Sequence, residues 1–156
     1  MPRPYVVGFE NVAVSAAQDL LQIKGAAGKI LDILRVWAGA TDTTLVTAQG
    51  LRFRCRFLPA TVTDGSGGGT STPQPLDPGD AAASFTCKTN NTTQATTSGT
   101  ASVLPTEGDH IYSGCNLPFK NPPQVGPSES FTFELLSTVS GTVHMSGGAE
   151  VTERGG

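Results

Sequence analysis

Asp109, His110, Ser113 and Cys115 fall within seven residues and bring together an acid, a base and two nucleophiles. Acyl-transfer chemistry would require one nucleophile to be hydrogen-bonded to the base. On a strand, His110 and Cys115 are an odd number of positions apart and point to opposite faces. The spacing therefore reads as a polar cluster at a loop edge. His144 is the only other histidine, so the pool of metal ligands is Asp77, Asp80, Asp109, His110 and His144. Asp77-Pro78-Gly79-Asp80 could turn oxygens toward a calcium ion, but Pro-Gly is first of all a turn signal. The glycine run from Gly65 to Gly69 has no Lys-Ser/Thr pair behind it and no strand–loop–helix frame, so it reads as a flexible or tightly turned connector rather than a phosphate loop. No catalytic residue, cofactor or metal is assigned, and a non-enzymatic protein is expected.

The remaining chemistry is that of binding. In LRFRCRFL, Leu51, Phe53, Cys55 and Phe57 alternate strictly with Arg52, Arg54 and Arg56. One face of this strand must be buried, and the other is either solvated or held against an acidic partner surface. Trp37, Tyr5 and Tyr112 could stack on sugars, but Trp37 closes a core-like strand and is expected to pack there. Cys55, Cys87 and Cys115 are odd in number, widely spaced and match no zinc or CxxC pattern, which suits buried free thiols in a reducing compartment.

Composition limits the elements that could position these groups. The 156 residues are 37% hydrophobic and 15% charged, and small polar residues, Gly and Pro make up the difference, a mixture that suits a single β domain with many turns. A net charge of −3 and a pI near 5.2 provide no field for nucleic acid. No apolar run approaches the roughly 20 residues that span a bilayer, and the N-terminus lacks the apolar stretch of a secretory signal. The sequons at Asn90 and Asn91 then carry no weight.

Alternating or β-branched runs predict strands over residues 5–14, 19–24, 29–38, 51–58, 83–88, 101–104, 110–117, 130–136 and 142–152, the last with a bulge or bend at Gly147–Gly148. Residues 19–38 could also line a helix, but Gly25 and Gly28 would interrupt it at about 1 kcal/mol each, so two strands joined by a GAAG turn are expected. The fold class is all-β: an antiparallel β-sandwich, jelly-roll-like, of about eight strands. It forms one domain over 1–156, with an extended N-terminal arm (1–8) and a long Gly/Pro-rich loop (59–82). The Thr/Asn-rich stretch 90–100 is expected to be a surface loop.

The AAQDLLQI segment, the KILDILRVW strand, the stretch TPQPLDPGDAAASFTCKTNNTTQATTSGT and the VHMSGGAEV ending together resemble a family of small tailed-bacteriophage virion proteins, with head-decoration or cement proteins the best structural analogy. The resemblance implies binding to the outer surface of the major capsid protein lattice, assembly in the host cytoplasm, location on the virion and association as homotrimers. A tail, baseplate or fibre component is the alternative, followed by a carbohydrate-binding sandwich. The residues expected to meet the partner are Pro2, Arg3, Pro4 and Tyr5 of the arm, Arg52, Arg54 and Arg56 of the arginine row, and Pro73, Pro75 and Leu76 of the loop.

Overall fold

Period-two runs become strands throughout residues 2–155, which the computed structural model describes; Met1 and Gly156, the ends of the expected arm and domain, lie outside them. The strands are β1 (Arg3–Val14), β2 (Gln18–Lys24), β3 (Lys29–Ala40), β4 (Gly50–Leu58), β5 (Val62–Thr63), β6 (Gly69–Ser71), β7 (Gln74–Pro75), β8 (Thr86–Asn91), β9 (Thr96–Thr97), β10 (Ser102–Val103), β11 (Glu107–His110), β12 (Cys115–Pro118), β13 (Gln124–Val125), β14 (Ser130–Leu135) and β15 (Val143–Gly155). All pairings are antiparallel. Sheet A runs β12-β3-β15-β1-β7 with β13 also on β3. Sheet B runs β10-β4-β14-β2-β8-β6 with β11 also on β4, and β5-β9 forms a small third sheet.

The two large sheets face one another across a single apolar core. Tyr5, Val7, Ile33, Val36, Met145 and Val151 come from sheet A, and Leu21, Ile23, Phe53, Cys55, Phe131 and Phe133 from sheet B, all at or near zero exposure. Aromatic pairs pack within this core, with Phe53 stacked on Phe133 of the neighbouring strand in sheet B at 5.5 Å and Tyr5 of sheet A edge-on to Phe85, just before β8, at 5.7 Å. The chain is thus an all-β antiparallel sandwich. Its eight core strands, numbered among themselves, lie in the order sixth, third, eighth, first in sheet A (β12, β3, β15, β1) and fourth, seventh, second, fifth in sheet B (β4, β14, β2, β8). A jelly roll shares the first order and exchanges the second and fourth strands in the other sheet. The connection from β4 to β8 accounts for this, because the chain around Asp64 and Gly65 passes over the outside of sheet B before β6 pairs with β8 and β7 with β1 on the far side.

The ambiguous stretch 19–38 forms two strands, and the GAAG turn between them is a corner that carries the chain from sheet B to sheet A. Gly28 there has φ +68°, which few other residues adopt. Residues 110–117 divide instead of forming one strand: β11 belongs to sheet B and β12 to sheet A, with Gly114 at φ +69° between them. No bulge falls at Gly147–Gly148, which pair in unbroken register with Phe9 and Gly8 on one side and with Ala38 and Trp37 on the other. They are glycines because a Cβ on Gly147 would overlap the Trp37 carbonyl and press on the Phe9 ring, and one on Gly148 would overlap the Val7 carbonyl and press on the indole of Trp37. The irregularities lie instead between Phe9 and Val12 and between Glu150 and Val151.

Two connectors also differ from expectation. Arg3–Gly8, expected as an arm, are the first half of β1 and are paired with β15 from Arg3 onward, because Tyr5 and Val7 bury into the core. The loop expected over 59–82 contains β5, β6 and β7, and its glycine run lies flat on the chain around Asn91. A Cβ on Gly65 would come within 2.6 Å of Asn91 Nδ2, and one on Gly68 would overlap the carbonyls of Thr89 and Asn90. These glycines permit close packing; they do not supply flexibility.

Candidate functional site

Six of the ten expected partner-binding residues meet at one corner of sheet A. Pro75 pairs with Tyr5 and Gln74 with Val6, the Leu76 amide donates to the Pro4 carbonyl at 3.0 Å, and Arg3 faces Asp80 at 3.8 Å. Pro2, Arg3, Pro4, Pro73, Pro75 and Leu76 thus border the β1–β7 edge. Proline has no amide to offer another strand, so this edge resists further β-pairing. Leu76 stands out from it, 57% exposed. Tyr5 does not join them: it is fully buried, and its hydroxyl donates to the Ala81 carbonyl at 2.9 Å. It anchors the loop from beneath and cannot meet a partner in this fold.

The arginine row also finds its counterpart inside the molecule. Arg52 is exposed, but Arg54 Nε donates to Glu134 Oε2 at 2.8 Å. Arg56 forms an ion pair with Glu134 Oε1, lies 3.7 Å from Asp19 Oδ1 and donates to the Ala95 carbonyl at 3.0 Å. Asp19 and Glu134 are fully buried. Register explains the meeting: Arg54, Glu134, Asp19 and Asn91 form one rung across β4, β14, β2 and β8, and Arg56, Thr132, Gln22 and Lys88 form the next. The acidic surface expected of a partner is supplied by the neighbouring strands of the same sheet.

A polar flap seals this face. The Ala95 amide donates to Asp19 Oδ2 at 2.6 Å and the Gly65 amide to Gln22 Oε1 at 2.9 Å. Asp64 accepts from Gln22 at 2.9 Å and from Lys24 at 3.1 Å. The β5–β9 pair and the Ser66–Thr93 bridge tie the two halves of the flap together. Asn90–Thr100, expected as a free surface loop, is therefore partly buried cover, with Asn91 and Ala95 inaccessible. Burial pushes the Asp19 carboxyl up to about 7, against the lowering effect of the Ala95 amide, with the charge of Glu134 adding to the rise.

The opposite end of sheet A carries a second exposed apolar tip, which sequence reasoning missed. Leu45 is 95% exposed on the β3–β4 loop, and Tyr112, 57% exposed, donates its hydroxyl to the Val46 carbonyl at 2.6 Å. Between them lies a concavity of about 360 Å³. The available signal was a lone leucine within the polar run TDTTLVTAQ. Beside it Asp42 accepts from both the amide and the Nδ1 of His144, each at 2.9 Å, and these bonds hold its carboxyl below the usual carboxylate range.

The cluster at 109–115 shows no nucleophile–base contact. The Ser113 hydroxyl donates to the His110 carbonyl at 2.9 Å, and the His110 ring accepts from the Tyr112 amide and packs on the Tyr112 ring. Burial pushes the thiols of Cys55 and Cys87 up to about 12 and raises Cys115 further, so none is ionised near neutrality. Asp77 is used within its turn, accepting from the Gly79 amide at 2.9 Å. Among the described residues no three His, Cys, Asp or Glu side chains converge as metal ligands. Trp37, expected in the core, lies on the outer face of sheet A, because the register of β3 puts Val36 and Ala38 inward. Compared with family models, with curated proteins and with solved structures, the chain matches none.

Proposed function

We propose that this chain is a non-enzymatic head-decoration, or cement, protein of a tailed bacteriophage, one that binds the outer surface of the major capsid protein lattice and stabilises the head. The observation that supports bridging is the pair of apolar tips on one sandwich. Leu76 sits by the start of β1, and Leu45 lies beyond the end of β3, which runs in the same direction. A 12-residue strand covers about 40 Å, so the tips can reach two neighbouring subunits at once. A ligand that binds the assembled lattice and not its free parts stabilises assembly by mass action. The phage context rests on the resemblance of the segments described above.

Short strands cover the flanks of β1, β3, β4 and β8, so a homotrimer would associate through side chains away from the two tips rather than by strand pairing. Phage particles lacking the chain should release their genome at lower temperature and under milder osmotic shock. Adding back the native protein should restore resistance, and adding back Leu45→Asp or Leu76→Asp should restore little of it. Equal resistance with and without the chain would exclude the cementing role, and antibody labelling confined to tails would move the protein there.

A further inference from the structure

We propose that the outer face of sheet A carries a binding furrow for a neutral saccharide chain, with Trp37 as its stacking platform. The chain's one tryptophan reaches from β3 across β15, where a Cβ on Gly148 would lie 2.8 Å from its Cζ2. The Arg35 guanidinium, held by Glu150 at 2.8 Å, covers one side of the ring, 4.6 Å from its centroid, and Ser146, paired with Gly39, lies on the side away from it. The indole is thus fixed before any ligand arrives, which lowers the ordering cost of binding.

Two concavities of about 430 Å³ each flank the ring and share Trp37 and Ser146 as their common wall. One extends over β3 and β12, and the other over β15, β1 and β7, so together they form a trough running across the strands. Its floor is bare backbone at Gly39 and Gly114 in one half and at Gly8 and Gly147 in the other. The rim carries Asn116 in the first half and Glu10 and Gln74 in the second.

A pyranose ring offers an apolar C–H face and a girdle of hydroxyls. The indole and glycine floor suit the first, and the amides and carboxylate suit the second. Charge selects within this class. Arg35 is neutralised by Glu150, which leaves Glu10 with no ion-pair partner among the described residues. A rim of this sign repels uronates, sulfated sugars and phosphate backbones, and its carboxylate can accept from sugar hydroxyls.

Because Trp37 is the sole tryptophan, its fluorescence reports on the trough alone. The full chain is titrated with cellohexaose, maltohexaose, mannohexaose and an acidic control, a hyaluronan hexasaccharide, up to about 10 mM, the range of weak single-site binding. At least one neutral hexaose should give a saturable blue shift, and the acidic sugar none. Asn116 is exposed, so Asn116→Ala leaves the fold intact and should weaken that binding about tenfold through a lost hydrogen bond. Trp37→Phe should weaken it similarly by calorimetry. No shift with any neutral sugar, a shift with the acidic one only, or unchanged affinity in Asn116→Ala would each overturn the proposal. The outcome is independent of capsid binding, which uses the tips.

Discussion

Asp19 and Glu134 lie side by side out of reach of solvent, with Arg54 and Arg56 against Glu134 and Arg56 also near Asp19. Breaking such a set by removing one partner leaves an unpaired buried charge, so Arg56→Ala should cost about 3–5 kcal/mol. The folded carboxyl of Asp19 titrates near 7 against 3.8 when free, so between those values the folded state holds a proton that the unfolded state has lost. Its contribution is complete below about pH 4 and is lost as pH rises through 7, and three pKa units bound it at about 4 kcal/mol. Urea unfolding should therefore give higher stability at pH 5 than at pH 8, and Asp19→Asn should flatten that difference. A steeper slope in the variant would contradict the assignment. On the adjacent rung Thr132 Oγ1 is buried without a hydrogen-bond partner among the described residues. Thr132→Val removes that unsatisfied hydroxyl at nearly constant shape and should leave stability unchanged or raise it by up to about 1 kcal/mol, measured by the same unfolding curves.

The flap is attached to sheet B mainly by polar groups, so its position depends on close backbone approach. Gly68→Ala would push its new methyl into the Thr89 and Asn90 carbonyls and should cost about 1–3 kcal/mol. Amide exchange should accelerate around Ala95 and Gly65 before it does in β14; uniform acceleration would mean that the flap has no separate stability. These elements also show which features were legible in the sequence. The alternation of LRFRCRFL identified β4 and its inward residues, and the glycines of GAAG separated β2 from β3. The flap was not legible, because Asn90–Thr100 and the glycine run are polar and short-range signals mark both as loop. Their burial depends on the Asp19 and Gln22 side chains, more than 40 residues away in the chain. The same limit explains the arginine row: period two revealed a polar face, but only the register of β14 and β2 shows that carboxylates from the same sheet cover it.

At the scale of the whole molecule, the sandwich separates three surfaces. One face of sheet B is closed by the flap, the outer face of sheet A is open along the Trp37 trough, and the two ends of sheet A bear Leu76 and Leu45. The proline corner was legible because Pro and Leu in a polar stretch mark an exposed edge. Its meeting with the start of β1 required the pairing of β7 on β1. The Leu45 tip was obscured by its single-residue signal, since an isolated exposed leucine is ordinary on any surface. Two tips at opposite ends of one sandwich carry the claim that the protein bridges neighbours in a shell. A cryo-EM map of the particle tests it most directly: the account predicts one chain with Leu45 and Leu76 seated on two different capsid subunits. A map in which both tips face solvent, or both touch a single subunit, would contradict it.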